Sequence, residues 1–159
     1  MPEMEHPAKP RVAIGADHAG YPLKEVLKES LGASGYKVED FGTFSPDSVD
    51  YPDIARQVGE VVAAGKYDFG ILICGTGIGM SIVANKLPGI RAAACSDTYS
   101  ARMARAHNNA NVLCMGSRVV GDGLALDIAR VFLESSFEFG SRHEMRVNKI
   151  NVLDQQRSH

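Results

Sequence analysis

Beyond its first ten residues the chain alternates short aliphatic runs with longer stretches in which apolar side chains recur every three or four positions. The short runs are Val12 to Gly15, Lys37 to Phe41, Phe69 to Cys74, Arg91 to Cys95 and Asn111 to Met115, each compact enough to be a strand buried on both faces. Between them Leu23, Val26, Leu27 and Leu31 fall at helical spacing, as do Ile54, Val58, Val61 and Val62, and later Leu124, Ile128, Val131 and Phe132. Strands alternating with amphipathic helices build parallel sheets with helical crossovers, so the pattern predicts an α/β fold, a three-layer, doubly wound sheet of five parallel strands. A last segment from Arg142 to Gln156, with Met145, Ile150 and Leu153 among polar residues, predicts a helix that packs on the body or on another subunit. No repeat of fixed period and no low-complexity tract is present. Residues 1–10, with three prolines, read as a disordered leader, and residues 11–159 as a single domain.

Composition narrows the functional classes. A chain of 159 residues with 45% hydrophobic positions buries one sizeable core. Its net charge of -2, with acids and bases interspersed, gives no basic field for nucleic acid and no charged tail for a membrane surface. No apolar run is long enough to span a bilayer and the first residues lack the apolar stretch of a secretory signal, so a cytoplasmic protein is expected. The three cysteines (Cys74, Cys95, Cys114) are odd in number and lack any C-x-x-C pair, which indicates reduced thiols rather than disulfides or a zinc site.

In an open α/β sheet ligands bind outside the carboxyl ends of the strands. The residues there are Asp17-His18-Ala19-Gly20, Cys74-Gly75-Thr76-Gly77-Ile78-Gly79, Ser96-Asp97 and Gly116-Ser117-Arg118. The C-G-T-G-I-G loop is the strongest local signal: three glycines let the main chain approach a ligand and aim amides at negative charge. It is no dinucleotide fingerprint, since Met80 stands where the last glycine is needed, and no Gly-Lys-Ser/Thr follows to make a nucleotide phosphate loop. Against these stands a plain reading, a tight turn that packs strand on helix. Cys74, at the strand-to-loop junction, feels the positive end of the following helix, which favours a base or nucleophile; Cys95 and Cys114 read as small buried hydrophobes. His107, at the end of a helix beginning near Thr98, is equally suited to capping carbonyls. It precedes the fifth strand and so lies at the opposite edge from the other loops. Arg118, Arg142 and Arg146 are candidates for forked hydrogen bonds to phosphate, the last two one helical turn apart.

Taken together, G-A-D-H-A-G at Gly15 to Gly20, D-Y-P at Asp50 to Pro52, I-C-G-T-G-I-G-M-S at Ile73 to Ser81, N-K at Asn85 and Lys86, A-x-x-H-N at Ala104 to Asn108 and G-S-R at Gly116 to Arg118 closely resemble the type B ribose-5-phosphate isomerases. The resemblance runs in order from about Arg11 to the C-terminus. It implies a Rossmann-like sheet and a homodimer with shared active sites, and leaves open whether dimers pair into tetramers. The activity it implies interconverts the aldose ribose 5-phosphate and the ketose ribulose 5-phosphate through an enediolate, with no cofactor and no metal. By position it assigns Cys74 as the base that moves the proton, His107 to ring opening and Asp17 to proton movements on the sugar hydroxyls. Thr76 and the amides of Gly75, Gly77, Ile78 and Gly79 would hold the enediolate oxygens, with Ser81 among the substrate-binding residues. His18, Arg118, Arg142 and Arg146 would address the phosphate, and Tyr51 and Asn108 would line the sugar. His107, Asn108 and Arg118 are expected from the second subunit. The stretch Glu134 to Ser141 is slightly longer than in relatives, which bears on where Arg142 falls. Three rival readings remain: an isomerase of a six-carbon sugar phosphate such as allose 6-phosphate or galactose 6-phosphate, a sugar-phosphate-binding or regulatory protein without turnover, and a structural α/β domain with no affinity for a pentose phosphate.

Overall fold

The computed structural model of the protein describes residues 8–157. The elements follow in the order β1 (Arg11–Ala16), α1 (Tyr21–Ala33), β2 (Lys37–Asp40), α2 (Tyr51–Ala63), β3 (Phe69–Cys74), α3 (Ile78–Ala84), β4 (Ala92–Ala94), α4 (Thr98–Ala106), β5 (Val112–Gly116), α5 (Asp122–Glu134) and α6 (Arg142–Gln155). The five strands form one parallel sheet in the order β2-β1-β3-β5-β4. The expected strands are all present, β3 with its expected bounds and the others one residue different at one end or both. Of the expected leader, residues 1–7 lie outside the described part; Ala8–Pro10 carry no regular structure, and the Lys9 ammonium sits over the Tyr36 ring, 4.6 Å from its centre. Among the described residues no helix is long and apolar enough to cross a membrane.

Strand alternation divides the core in two. Val12, Ile14, Ile71, Ile73, Leu113 and Met115 pack with Leu23, Leu27, Leu31, Ala101, Ile128 and Phe132 on one face. Ala13, Leu72, Cys74, Val112 and Cys114 pack with Ile54, Val58, Val62 and Met80 on the other, beneath α2 and α3. The strand order reverses between β1 and β3, since β2 lies outside β1 while β5 and β4 lie outside β3. Such a reversal opens a crevice at the carboxyl ends of the two central strands. Ala16 pairs with Ile73 and the Asp17 amide donates to the Ile73 carbonyl, so Asp17 and Cys74 follow side by side at the carboxyl ends of β1 and β3.

Two expected core positions are corrected. Leu124 is 42% exposed, and α5 turns Ala125, Ile128, Ala129, Phe132 and Leu133 inward instead. On α1 the buried neighbour of Leu23, Leu27 and Leu31 is Lys24 rather than Val26. Its side chain is fully buried, and its ammonium meets the Asp40 carboxylate at the end of β2 and Glu25, while Lys28 reaches the same two acids. Burial pushes the Asp40 carboxyl up, but hydrogen bonds from Lys24, Lys28 and the Gly42 amide outweigh it and hold the group below its ordinary value. A carboxyl held low in the folded state stabilises it above the unfolded pKa of about 3.9, and that contribution is lost as pH falls through the lower folded value. Lys24→Met leaves the mostly buried Asp40 with Lys28 and the Gly42 amide. We expect it to lower unfolding free energy by about 3 kcal/mol at neutral pH in urea titrations, with the deficit shrinking in acid.

Candidate active site

The loops after β1, β3 and β5 are fastened to one another by main-chain bonds. The Asp17 amide donates to the Ile73 carbonyl at 3.1 Å, the Ser117 amide to the Cys74 carbonyl at 2.9 Å and the Arg118 amide to the Gly75 carbonyl at 3.1 Å. The Ser117 hydroxyl donates to the Ala19 carbonyl at 2.8 Å, closing the circuit. Gly20 is required at its place because a Cβ there would stand 2.5 Å from the Ile73 carbonyl oxygen. Sequence reasoning missed Ser117 as a fastener; the G-S-R motif was its signal.

Cys74 ends β3 and is 6% exposed, with its sulfur turned to the α2/α3 face. The Gly77 amide donates to this sulfur at 3.1 Å, the donor a sulfur needs when it carries negative charge. Gly77 adopts φ +80 as the N-cap of α3, and a Cβ there would lie 2.9 Å from the Met115 main chain, so this position demands glycine twice over. The Thr76 hydroxyl accepts from the Ile78 amide at 3.2 Å. Two of the amides expected to face an enediolate, those of Gly77 and Ile78, therefore already have acceptors inside the loop. The Ser81 hydroxyl donates to the Ile78 carbonyl at 2.8 Å and so serves the first turn of α3.

Other expected residues gather around this sulfur's loop. The buried Asp17 accepts through Oδ1 from the Gly20 amide at 3.0 Å. His18 accepts through Nδ1 from the Val49 amide at 3.3 Å, which leaves any ring proton on Nε2. Tyr51, the first residue of α2, lays its ring against Gly79, where a Cβ would stand 2.7 Å from Cζ. Arg118, expected from a second subunit, instead packs over the loop of its own chain, its Nη1 3.2 Å from where a Gly75 Cβ would be. The other two cysteines behave as hydrophobes: burial lifts the Cys95 thiol to about 11 and raises that of Cys114 as well.

The remaining expected residues form a separate group. His107 caps the C-terminus of α4, before β5 begins, and so stands at the opposite edge of the sheet from Cys74, which pairs with the last residue of β5. Its ring stacks on His143 with centres 3.8 Å apart and planes 10° from parallel. Glu138 sets Oε2 3.5 Å from Nε2 of each ring. Desolvation lowers the His143 pKa, and repulsion from His107, Arg142 and Arg146 adds to this against the pull of Glu138. Arg142 and Arg146 thus share the His143 neighbourhood on the first turns of α6. Asn108 is exposed and lines a cavity of about 380 Å³ between β4 and α6, with Asn85, Arg91 and Asp154 among its walls. Sequence reasoning passed over His143 and Glu138; His143, enclosed between Arg142 and Arg146, carried the signal.

Chemically, the first group presents a sulfur with a fixed amide donor, a neighbouring carboxyl and a hydroxyl, the parts needed to move a proton next to a carbonyl. The second presents imidazoles and guanidinium groups suited to an anionic sugar. The profile of the Ribose/Galactose Isomerase family matches residues 12–150. The chain is 49% identical to "Ribose-5-phosphate isomerase B" of Escherichia coli K12, covering 93% of this chain and 99% of that one. It is 45% identical to "D-erythrulose-4-phosphate isomerase" of Pectobacterium atrosepticum, covering 93% and 97%. The structure of ribose-5-phosphate isomerase B from Clostridium thermocellum superposes with a TM-score of 0.91 at 52% identity, covering 93% and 99%.

Proposed function

The chain belongs to the Ribose/Galactose Isomerase family, and from that premise we propose how its own residues perform the aldose–ketose conversion. The protein is a ribose-5-phosphate isomerase that interconverts D-ribose 5-phosphate and D-ribulose 5-phosphate. The observation that carries the mechanism is the Gly77 amide aimed at the Cys74 sulfur, beside Asp17 in the crevice between β1 and β3.

In the open-chain aldose, the Cys74 thiolate takes the proton from C2. The C2–H electron pair moves into a C1–C2 double bond, and the aldehyde oxygen gains the negative charge. The resulting enediolate collapses to a C2 carbonyl as the thiol returns the proton to C1 and the C2 hydroxyl proton passes to the C1 oxygen. Thr76 and the loop amides from Gly75 to Gly79 stabilise the oxygens, those of Gly77 and Ile78 by sharing or exchanging their present acceptors. Preoriented donors of this kind contribute about 3 to 4 kcal/mol each to the barrier. Asp17 relays protons between the sugar hydroxyls, and Tyr51 and Ser81 line the loop. His18 and Arg118 border the sugar phosphate from the same side.

His107, Asn108, Arg142 and Arg146 act from a second copy of the chain. This rests on their place at the far edge of the sheet and on α6, which buries only Val147 on its own body and leaves Met145 and Leu153 61% and 68% exposed. A homodimer that brings the far edge of one copy over the crevice of the other joins the ring-opening histidine and phosphate-binding arginines to the thiol. Three buried thiols with no disulfide among them agree with a cytoplasmic setting.

The test is turnover of ribose 5-phosphate in deuterium oxide. Solvent deuterium should enter the product at C1 and, on reversal, the substrate at C2. Binding without exchange would leave a sugar-phosphate-binding protein. Assays with erythrulose 4-phosphate and allose 6-phosphate rank chain length, for which one carbon is worth about 1 to 3 kcal/mol of discrimination.

A further inference from the structure

We propose that His107, Glu138 and His143 form a binding site for one divalent transition-metal ion, zinc foremost, and that its occupancy shuts the enzyme off. Binding is argued from the cluster alone; the consequence for turnover rests on the isomerase reading above. The ligating atoms of the three residues all lie within 4.8 Å of one another. Glu138 Oε2 is 3.5 Å from both Nε2 atoms, and donors around a tetrahedral zinc stand roughly 3.3 Å apart, given bonds of about 2.0 to 2.1 Å. The ring planes lie 10° from parallel, so binding requires both imidazoles to rotate about their side-chain bonds until the planes splay and the two Nε2 lone pairs meet at the tetrahedral angle. Two imidazoles and a carboxylate leave the fourth position open, as in sites that exchange water for another ligand.

The cluster is preassembled by contacts that need no ion. The Glu138 amide donates to the Ala106 carbonyl at 3.1 Å, tying the loop before α6 to the end of α4 beside His107. The Ser141 hydroxyl donates to the Glu138 carbonyl at 2.6 Å and accepts from the His143 amide at 3.2 Å, so one hydroxyl joins the backbones of two ligands. Phe137 is buried and anchors the loop next to Glu138. The three backbones are thus held before the metal arrives, and rotation of the two rings remains as the ordering cost. Arg142 and Arg146 add positive charge nearby. Field alone would therefore not retain magnesium or calcium, whereas zinc, cobalt, nickel or copper gain direct bonds to imidazole. An ion there occupies the Nε2 of His107 and denies it to the sugar ring.

Calorimetry with zinc chloride and visible absorption with cobalt chloride, on chelator-stripped full-length protein, test the site. Wild type and Cys74→Ala should each take up one ion per chain. Glu138→Gln and His143→Gln, checked for folding by circular dichroism, should bind at least about tenfold more weakly. Zinc should reduce wild-type turnover more than about tenfold, reversibly with EDTA, while the Glu138→Gln enzyme loses little of its own zinc-free turnover when zinc is added. The proposal is overturned by equal binding in those variants, by no saturable binding, or by a cobalt–thiolate band that disappears in Cys74→Ala. The cobalt spectrum of wild type decides the donor set even where a variant misfolds. An inactive wild-type chain would sink the isomerase reading and leave the site to be judged by calorimetry.

Discussion

Cys74→Ala is expected to fold like the wild type and to lose ribose 5-phosphate turnover by about 100- to 10,000-fold, the range a positioned general base supplies. The substitution removes one heavy atom from a 6% exposed site at the end of β3, so unfolding midpoints should shift little. Deuterium exchange into the sugar should fall in parallel with turnover, while KM stays within a few-fold, because the thiol acts on the reacting carbon and contributes little to holding the phosphate. Stopped-quench measurement of exchange alongside steady-state kinetics separates these quantities. A variant that still exchanges solvent deuterium at the wild-type rate would remove the sulfur from the mechanism and point to Asp17 as the base.

Subunit complementation should produce the second large effect. Cys74→Ala and His107→Asn homodimers are each expected to be nearly inactive. When the two are unfolded together and reassembled, half of the dimers carry one of each, and one of their two crevices combines an intact thiol with an intact histidine. Activity should therefore return to about a quarter of wild type, far above either parent. If instead both residues served a crevice within one chain, every site in the mixture would hold one defect and no recovery would occur. Differentially tagged subunits, purified as the mixed dimer, give the same comparison without the statistical factor.

The sheet was legible because its three central strands are short and apolar, and β3 appears with the bounds that its aliphatic run predicts, Phe69–Cys74, whereas the edge strands β2 (Lys-Val-Glu-Asp) and β4 are half exposed rather than buried on both faces as expected. The helix faces were legible except where a polar side chain takes an apolar place. Lys24 enters the core because its ammonium finds Asp40 across sixteen positions of sequence, a partnership no local periodicity encodes. The C-G-T-G-I-G loop announced itself through its glycines, and Gly77 and Gly79 each meet a neighbour that leaves no room for a side chain. What the sequence withheld is the second ring of contacts. Glu138 and His143 reach His107 only because the loop after α5 folds back onto the end of α4. Arg118 lies over Gly75 only because β5 and β3 are neighbours in the sheet while forty residues apart in the chain.

The main-chain ties among the three loops at the carboxyl edge carry a consequence for how this enzyme works through heat and time. The thiol has no hinge of its own: its aim is inherited from the pleat of β3 and from carbonyls that already hold the adjoining strands' loops. Catalytic competence on this side should persist for as long as the sheet does and vanish with it. In the proposed dimer, adaptation to a new sugar is then left to the edge supplied by the second copy, where a swap of side chains disturbs no strand.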